Sequence, residues 1–544
     1  MTIMVTSMNH QGESAVSEAQ TNATPIVLDP MRVAFAPDAT VLQLGRTHFI
    51  GIGGAGMSVL AEMLHERGVD VDGSDREEGS KTERLRSLGI TVEIGQQADN
   101  VRGADTVVYS SAIKPDNPEI VAAHERGIRI VHRSDILALL MNGRRAVTVA
   151  GAHGKTTTSS LLSHILVHAG TGKLADPSYA IGGTIQAPGG AVLDGGHAGR
   201  GDVLVAEADE SDGSFCKYRP SIAVITNALA DHLDHYGDEA HYCAAFVDHA
   251  GHASGHVVMT GDDEGAVAVL RDLDPSVARR TIVYATKDAD QIGDLRGATL
   301  VRIDAEHESA DSGRETFTVH VPASLASVCG CGDADLALPV SLAIPGMHNA
   351  RNATAAILAA MLLGVTPEAA AQAASTFLGA SRRFQVRGEE NGVTVVDDYA
   401  HHPTEISALL DAARRRYPRS VIRVLFQPHL FSRTRMFAHE FAEALSKADD
   451  VIVTGIFPAR ELQRDFPDVS AMTIVDAAQD VPHASAQGDG TWISAVDDMQ
   501  VAAQMLAMRC RPTDVVFTVG AGDITAMGAV ILHALGARHN LGDR

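Results

Sequence analysis

Short runs of consecutive apolar residues recur along this chain, and most stop abruptly at a glycine or a polar cluster. Residues 46–50, 69–71 and 106–112 form one group. A second comprises 147–150, 202–206 and 222–226, and a third 393–396, 421–426, 451–454 and 515–519. Runs this short, with little alternation, suit parallel strands covered on both faces. Helical apolar spacing follows several of them: Leu60, Met63 and Leu64, then Leu161, Leu162, Ile165 and Leu166. The Ala-rich stretch 353–365 predicts a buried helix. This alternation predicts an α/β protein.

At 544 residues the chain exceeds what one core supports, and three domains are expected. Residues 1–44 are polar, lack a sustained period and read as a disordered extension. Residues 45–142 form a first, Rossmann-like α/β domain. Residues 143–375 form a central P-loop domain, and 376–544 a third, again Rossmann-like. Residues 171–200 are Gly-rich and read as loop. The stretch 287–340 carries weak strand signals with charged and Gly-rich insertions.

Two glycine-rich turns carry the first chemistry. The strand at 147–150 leads into Gly151, Ala152, His153, Gly154, Lys155, Thr156 and Thr157, then a helix. That order suits a triphosphate cradle: backbone N–H groups and a helix N-terminus meet the phosphates. Lys155 reaches the β- and γ-phosphates, and the Thr156 hydroxyl faces Mg²⁺. Earlier, Gly51, Gly53 and Gly56 stand in a dinucleotide-type turn, with Asp75 about twenty residues on for a ribose hydroxyl. That turn alone does not distinguish NAD from another nucleotide.

Polar clusters at strand ends are where open α/β sheets place their sites. Glu207 to Asp212 follows one strand, and Asp231-His232 follows another. Glu207 is a hard oxygen ligand suited to Mg²⁺, with His232 a second candidate. His348, Asn349 and Asn352 share a first helical turn, where they hold a base or, for Asn349, cap the helix. Four strands of the third domain end in polar clusters that together indicate one concave site. Arg382, Arg383, Arg433 and Arg435 there suit carboxylate or phosphate.

Composition removes alternatives. A net charge of −24 argues against a nucleic-acid surface. No apolar run is long enough to span a membrane, and no secretory signal is visible. Five irregularly spaced cysteines, including Cys329-Gly-Cys331, do not make a disulfide framework, and a cytoplasmic setting is expected.

The ordered motifs resemble the Mur ligase family across roughly residues 45–535. They are GIGGAGMS at 51–58, AGAHGKTTT at 150–158, EADESD at 207–212, ADHLDHY at 230–236 and GMHNARN at 346–352. SRRF at 381–384, DDYAHHP at 397–403, QPHLFSRTR at 427–435, PARE at 458–461 and GAGD at 520–523 complete the set. The chain departs from the family's pattern at Ala152 (usually Thr), Gln96 (usually His) and Phe457 (usually Tyr).

The resemblance implies an ATP- and Mg²⁺-dependent ligase of peptidoglycan precursor synthesis. Its substrates would be UDP-N-acetylmuramate and L-alanine, and the protein a monomer or homodimer. Gly53, Gly54, Ala55, Gly56, Met57, Ser58, Asp75 and Ser110 would hold the UDP-sugar. ATP would lie on residues 151–157 with His348, Asn349, Asn352 and Arg383. Thr156, Glu207 and His232 would hold Mg²⁺. His402, His429 and Arg433 would meet the amino acid. Lys155, Glu207, His232, His402 and Arg433 would form the catalytic set. An oxidoreductase would leave the P-loop idle, a plain ATPase would leave the third domain idle, and a muropeptide-recycling ligase is the nearest enzyme alternative.

Overall fold

The structure, a computed structural model, describes residues 26–187, 191–305, 314–459, 461–483 and 491–542. Arg460 of the PARE segment and residues 1–25 of the expected extension lie outside the described residues. The chain forms three α/β units, each built on its own sheet.

The first sheet has five parallel strands, in spatial order Thr91–Ile94, Val71–Asp75, Thr47–Ile50, Thr106–Tyr109 and Arg129–His132. The second of these begins and ends later than its apolar run at 69–71 predicts. Asp72 is tolerated inside the sheet because His48 and Arg46 pair with its carboxylate, at 2.5 and 2.6 Å. Residues 26–44 correct the reading of 1–44 as disordered. Ile26 and Leu28 pack on the cluster containing Ile50 and Tyr109, while Ala39 and Leu44 are buried in the core.

The second sheet has ten strands, and its order explains the central site. The strand Arg145–Ala150 lies between Val203–Glu207 and Ile222–Ile225, parallel to both. Registers Glu207↔Val149 and Ile225↔Ala150 bring three strand ends to one point. The weakly signalled segment 287–340 extends this sheet through Thr299–Ala305, Glu315–Val321 and Leu336–Leu342, the last two pairings antiparallel. The Gly-rich stretch expected as loop adds short strands, among them Ser178–Ala180 and Gly196–His197 at the opposite edge. The Ala-rich segment is the buried helix Met347–Leu363, packed on Lys155–Ala169. Small side chains let the two helices approach closely beneath the P-loop.

The third sheet is ordered Gln385–Glu390, Val393–Asp398, Val515–Val519, Ile422–Phe426, Asp450–Val453 and Ile493–Ala495, parallel except for the first pair. Its four expected strands adjoin one another, so their polar ends share one edge.

Ion pairs join the units. Lys217 reaches Asp135 of the first unit at 2.7 Å, and Arg133 reaches Asp209 at 2.7 Å. Arg433 of the third unit reaches Asp231 of the central one at 3.4 Å.

Candidate active site

The turn after Arg145–Ala150 is shaped by close backbone approach. Gly151 has φ +134, and a Cβ there would lie 2.3 Å from Thr226 Oγ1. Gly154 has φ +85, and its Cβ would lie 2.6 Å from Asn352 Oδ1. Both positions therefore demand glycine. The loop is stitched from the neighbouring strand end: Asn227 Nδ2 and Thr226 Oγ1 both donate to the His153 carbonyl, at 2.9 and 2.5 Å.

The helix Lys155–Ala169 starts from Gly154 with no side-chain cap, leaving its first N–H groups for a ligand. Lys155 Nζ turns back to the Gly151 carbonyl at 2.6 Å and to Glu210 Oε2 at 2.9 Å. The Glu210 side chain is 1% exposed and that of Lys155 17%. Burial raises the Glu210 carboxyl against the pull of Lys155. Burial also opposes the Lys155 charge, but Glu210 and Asp209 more than compensate and keep it protonated.

Glu207 stands beside Thr156. Burial raises its carboxyl, while a hydrogen bond from Thr156 and the charge of Lys155 oppose the shift. Its Oε1 is buried with no hydrogen-bond partner among the described residues. That orphaned oxygen beside a P-loop hydroxyl fits a hard divalent cation. His232, at φ 54, lies 3.9 Å from Glu210 Oε1 and 3.8 Å from Asp231 Oδ2. Among the described residues no three His, Cys, Asp or Glu side chains gather as an all-protein metal cage. An ion here would complete its shell with phosphate and water, as Mg²⁺ commonly does.

A cavity of about 360 Å³ opens beside the P-loop, lined by Thr157, His348, Asn349, Asn352 and Arg383 among others. Burial and neighbouring arginines push His348 down to about 4, so its imidazole is neutral. Asn349 does not cap its helix; its Nδ2 donates backward to the Pro345 carbonyl at 2.7 Å. Arg383 lies over the Tyr399 ring, 4.8 Å from its centroid. Its backbone setting is strained, with Arg382 at φ 58 and Phe384 at φ 46. Asp398 holds this turn by accepting from Phe384 N at 2.7 Å and Ala400 N at 2.8 Å, and burial pushes its carboxyl up to about 6.

The third unit meets the P-loop through imidazoles. His153 Nδ1 lies 3.0 Å from Glu405 Oε1, and its ring lies 5.4 Å from that of His402. Burial alone would raise Glu405, but His153 and His401 hold it well below the ordinary range. His402 also caps the helix Pro403–Arg416, its Nδ1 accepting from Thr404 N at 3.3 Å, with Glu405 completing the capping box. Burial pushes His402 down to about 4. His429 stacks on Phe457 and lies 5.7 Å from the His401 ring. Two of the four arginines point elsewhere. Arg382 donates to the Gly520 and Gly522 carbonyls, and Arg435 pairs with Asp468 at 2.5 Å.

A larger cavity, about 750 Å³, lies at the strand ends of the first unit. Gly53, Gly54, Asp75 and Ser110 line it, as does Gln96. Asp75 is partly spent on the backbone, accepting from Gly53 N at 2.8 Å and Arg76 N at 2.7 Å. It therefore braces the glycine turn besides facing the cavity. Ala55, Gly56, Met57 and Ser58 form the first helical turn and do not line this cavity; the Met57 and Ser58 side chains are buried.

Glu210, Glu405, Asp398 and Asn227 went unassigned from sequence. The Glu405 signal was present as a box three residues after His402. Glu210 and Asp398 sit in the EADESD and DDYAHHP motifs and Asn227 directly follows the strand run at 222–226, but only long-range pairing reveals their work.

A strand–glycine-turn–helix cradle between two further α/β units defines a three-domain, nucleotide-dependent ligase architecture, and the chain belongs to the Mur ligase family. Three family profiles match in order: "Mur ligase family, catalytic domain" over residues 46–145, "Mur ligase middle domain" over 149–360, and "Mur ligase, glutamate ligase domain" over 382–522. A UDP-N-acetylmuramate–L-alanine ligase of Bifidobacterium adolescentis is 69% identical over 96% of this chain and 99% of its own. One of Paenarthrobacter aurescens is 44% identical over 91% and 98%. The crystal structure of a UDP-N-acetylmuramate-alanine ligase from Thermotoga maritima is similar at TM-score 0.67 and 28% identity, covering 92% of this chain and all of that one.

Proposed function

We propose that this protein joins L-alanine to the carboxylate of UDP-N-acetylmuramate at the expense of ATP. The observation that carries the reading is the meeting of the central unit's strand ends, the P-loop included, with Glu405, His402 and Arg433 of the third unit. His153 contacts Glu405 and lies beside His402, and Arg433 reaches Asp231. A phosphate cradle facing groups suited to an amino-acid carboxylate is the arrangement an acyl-activating ligase needs. The near full-length relatives of that name support the same substrates.

Joining an amine to a carboxylate in water requires an activated acyl group. The γ-phosphoryl group passes from ATP to the muramyl carboxylate, giving an acyl phosphate and ADP. The alanine amine attacks the carbonyl carbon, the tetrahedral adduct expels phosphate, and the nitrogen loses its proton. Two anions meet in the first step, so positioning and charge neutralisation dominate. Lys155 exchanges Glu210 for the phosphates. Arg383 adds positive charge at the mouth of the adenine-side cavity, and His348 and Asn352 contact the base. Thr156 and Glu207, with His232 nearby, are the residues that would hold Mg²⁺, which supplies further neutralisation of the phosphate oxygens when bound. His402, His429 and Arg433 receive the amino acid. Closure of the third unit excludes water from the acyl phosphate.

No helix among the described residues is long and apolar enough to cross a membrane, in keeping with a cytoplasmic setting where its nucleotide substrates are made. The test is phosphate release from ATP with Mg²⁺ and UDP-N-acetylmuramate, with and without L-alanine. Release that needs both substrates, with the alanyl product seen by mass spectrometry, is expected. Release without the sugar nucleotide would mean a plain ATPase, and release with UDP-N-acetylmuramate only when a tripeptide replaces L-alanine a recycling ligase.

A further inference from the structure

The seven lysines of this chain divide by their partners. The ammonium groups of Lys155, Lys217, Lys287 and Lys447 each have a hydrogen-bonded oxygen. The side chains of Lys81 and Lys114 make no hydrogen bond or ion pair among the described residues, and both line the larger cavity of the first unit. Lys173 also lacks a partner but sits on an exposed turn outside both cavities.

Lys81 occupies an adverse position. It is the second residue of the helix Ser80–Ser87, whose cap, Gly79, offers no side-chain acceptor. A cation in a first turn opposes the helix dipole. Lys81 and Lys114 are both exposed on the cavity wall, where no carboxylate among the described residues pairs with them. Asp75, Glu77 and Asp116 line the same cavity, as does Arg76; Asp75 is engaged by the backbone of Gly53 and Arg76, and no ion pair joins Glu77 or Asp116 to either lysine among the described residues. Gly53 and Gly54, at the start of the helix Ala55–Glu66, line the cavity as well. Two helix N-termini and two unpaired ammonium groups thus serve one concave surface. A ligand carrying adjacent negative charges would gain from the two helix N-termini and the two ammonium groups.

We propose that Lys81, assisted by Lys114, neutralises the diphosphate of the nucleotide sugar and is a binding residue for that substrate. This deepens the reading of the first unit as the UDP-sugar domain and rests on it. The alternative, a solvated surface lysine, predicts no effect on any ligand.

The experiment is calorimetric titration of UDP and of uridine into the full-length protein and its Lys81→Met and Lys81→Arg variants. UDP should bind roughly tenfold or more weakly to Lys81→Met, as expected for loss of a charge-assisted contact. Uridine should bind the variant and the unaltered protein equally, and Lys81→Arg should recover most of the UDP affinity. In turnover, the KM for UDP-N-acetylmuramate should rise in Lys81→Met with the KM for ATP unchanged. Equal UDP affinity in Lys81→Met and the unaltered protein would overturn the role of Lys81 alone. Parallel losses for UDP and uridine would also overturn it, marking a structural effect. Failure of the unaltered protein to bind UDP at all would overturn the reading of the first unit, and this proposal with it.

Discussion

Replacing Lys155 with Met should remove activity, but the more informative consequence is for stability. Glu210 is almost fully buried and its principal counter-charge is Lys155, 2.9 Å away. Removing one member of such a pair leaves a charge without compensation, at a cost of about 3 kcal/mol or more. For a unit of the central domain's size that corresponds to a fall of ~6–12 °C in its melting transition.

The deficit must depend on pH. Burial already raises the Glu210 carboxyl from 4.5, and loss of Lys155 raises it further. A group with a raised folded-state value binds its proton more tightly when folded. Its contribution is full below the unfolded value and is lost as pH rises through the folded one. The Lys155→Met deficit should therefore be small near pH 5 and large near pH 8. Adding Glu210→Gln, which carries no charge, should recover most of it at pH 8. Differential scanning calorimetry without nucleotide reads all of this. An equal deficit at both pH values, or no recovery in the double variant, would refute the reasoning.

Gly154→Ala forces a side chain to φ +85 and against Asn352 Oδ1. Left-handed backbone alone costs about 1–2 kcal/mol, so the KM for ATP should rise roughly tenfold in steady-state assays. Asp398 protonates at about 6 and then loses its charge beside Arg383. The profile of kcat/KM for ATP should show an acid limb near that pH, abolished in Asp398→Asn. Glu405→Gln removes the charge shared by His153, His401 and the backbone of His402. Its kcat should fall by about tenfold or more while the KM for the sugar nucleotide holds, since the first unit is untouched.

The strands were legible because parallel strands buried on both faces must be apolar throughout, and each stopped where the site begins. Val71–Asp75 was misjudged because its later half is polar: Asp72 is paid for by His48 and Arg46, partners a local window does not see. Residues 26–44 were misjudged because their anchors, Ile26, Leu28, Ala39 and Leu44, have neither helical nor strand period. In the site, glycine turns and Lys155-Thr156 follow from local geometry and were readable. The pairing of Glu210 with Lys155, or of Glu405 with His153, joins residues 55 or more positions apart. Those contacts depend on which strands adjoin in the central sheet and on how the third unit seats against it. Sequence spacing encodes neither. His402 shows the overlap of the two cases: its place at a strand–helix junction was visible, its use as a helix cap was not.

The central claim is that the muramyl carboxylate is activated by phosphorylation. UDP-N-acetylmuramate labelled with ¹⁸O in that carboxylate tests it directly, since the oxygen that bridges carbon and phosphorus must leave with the phosphate. Mass spectrometry of a reaction with ATP and L-alanine should find one ¹⁸O atom in inorganic phosphate and none in the nucleotide. Label in AMP, or product formed with unlabelled phosphate, would contradict the account.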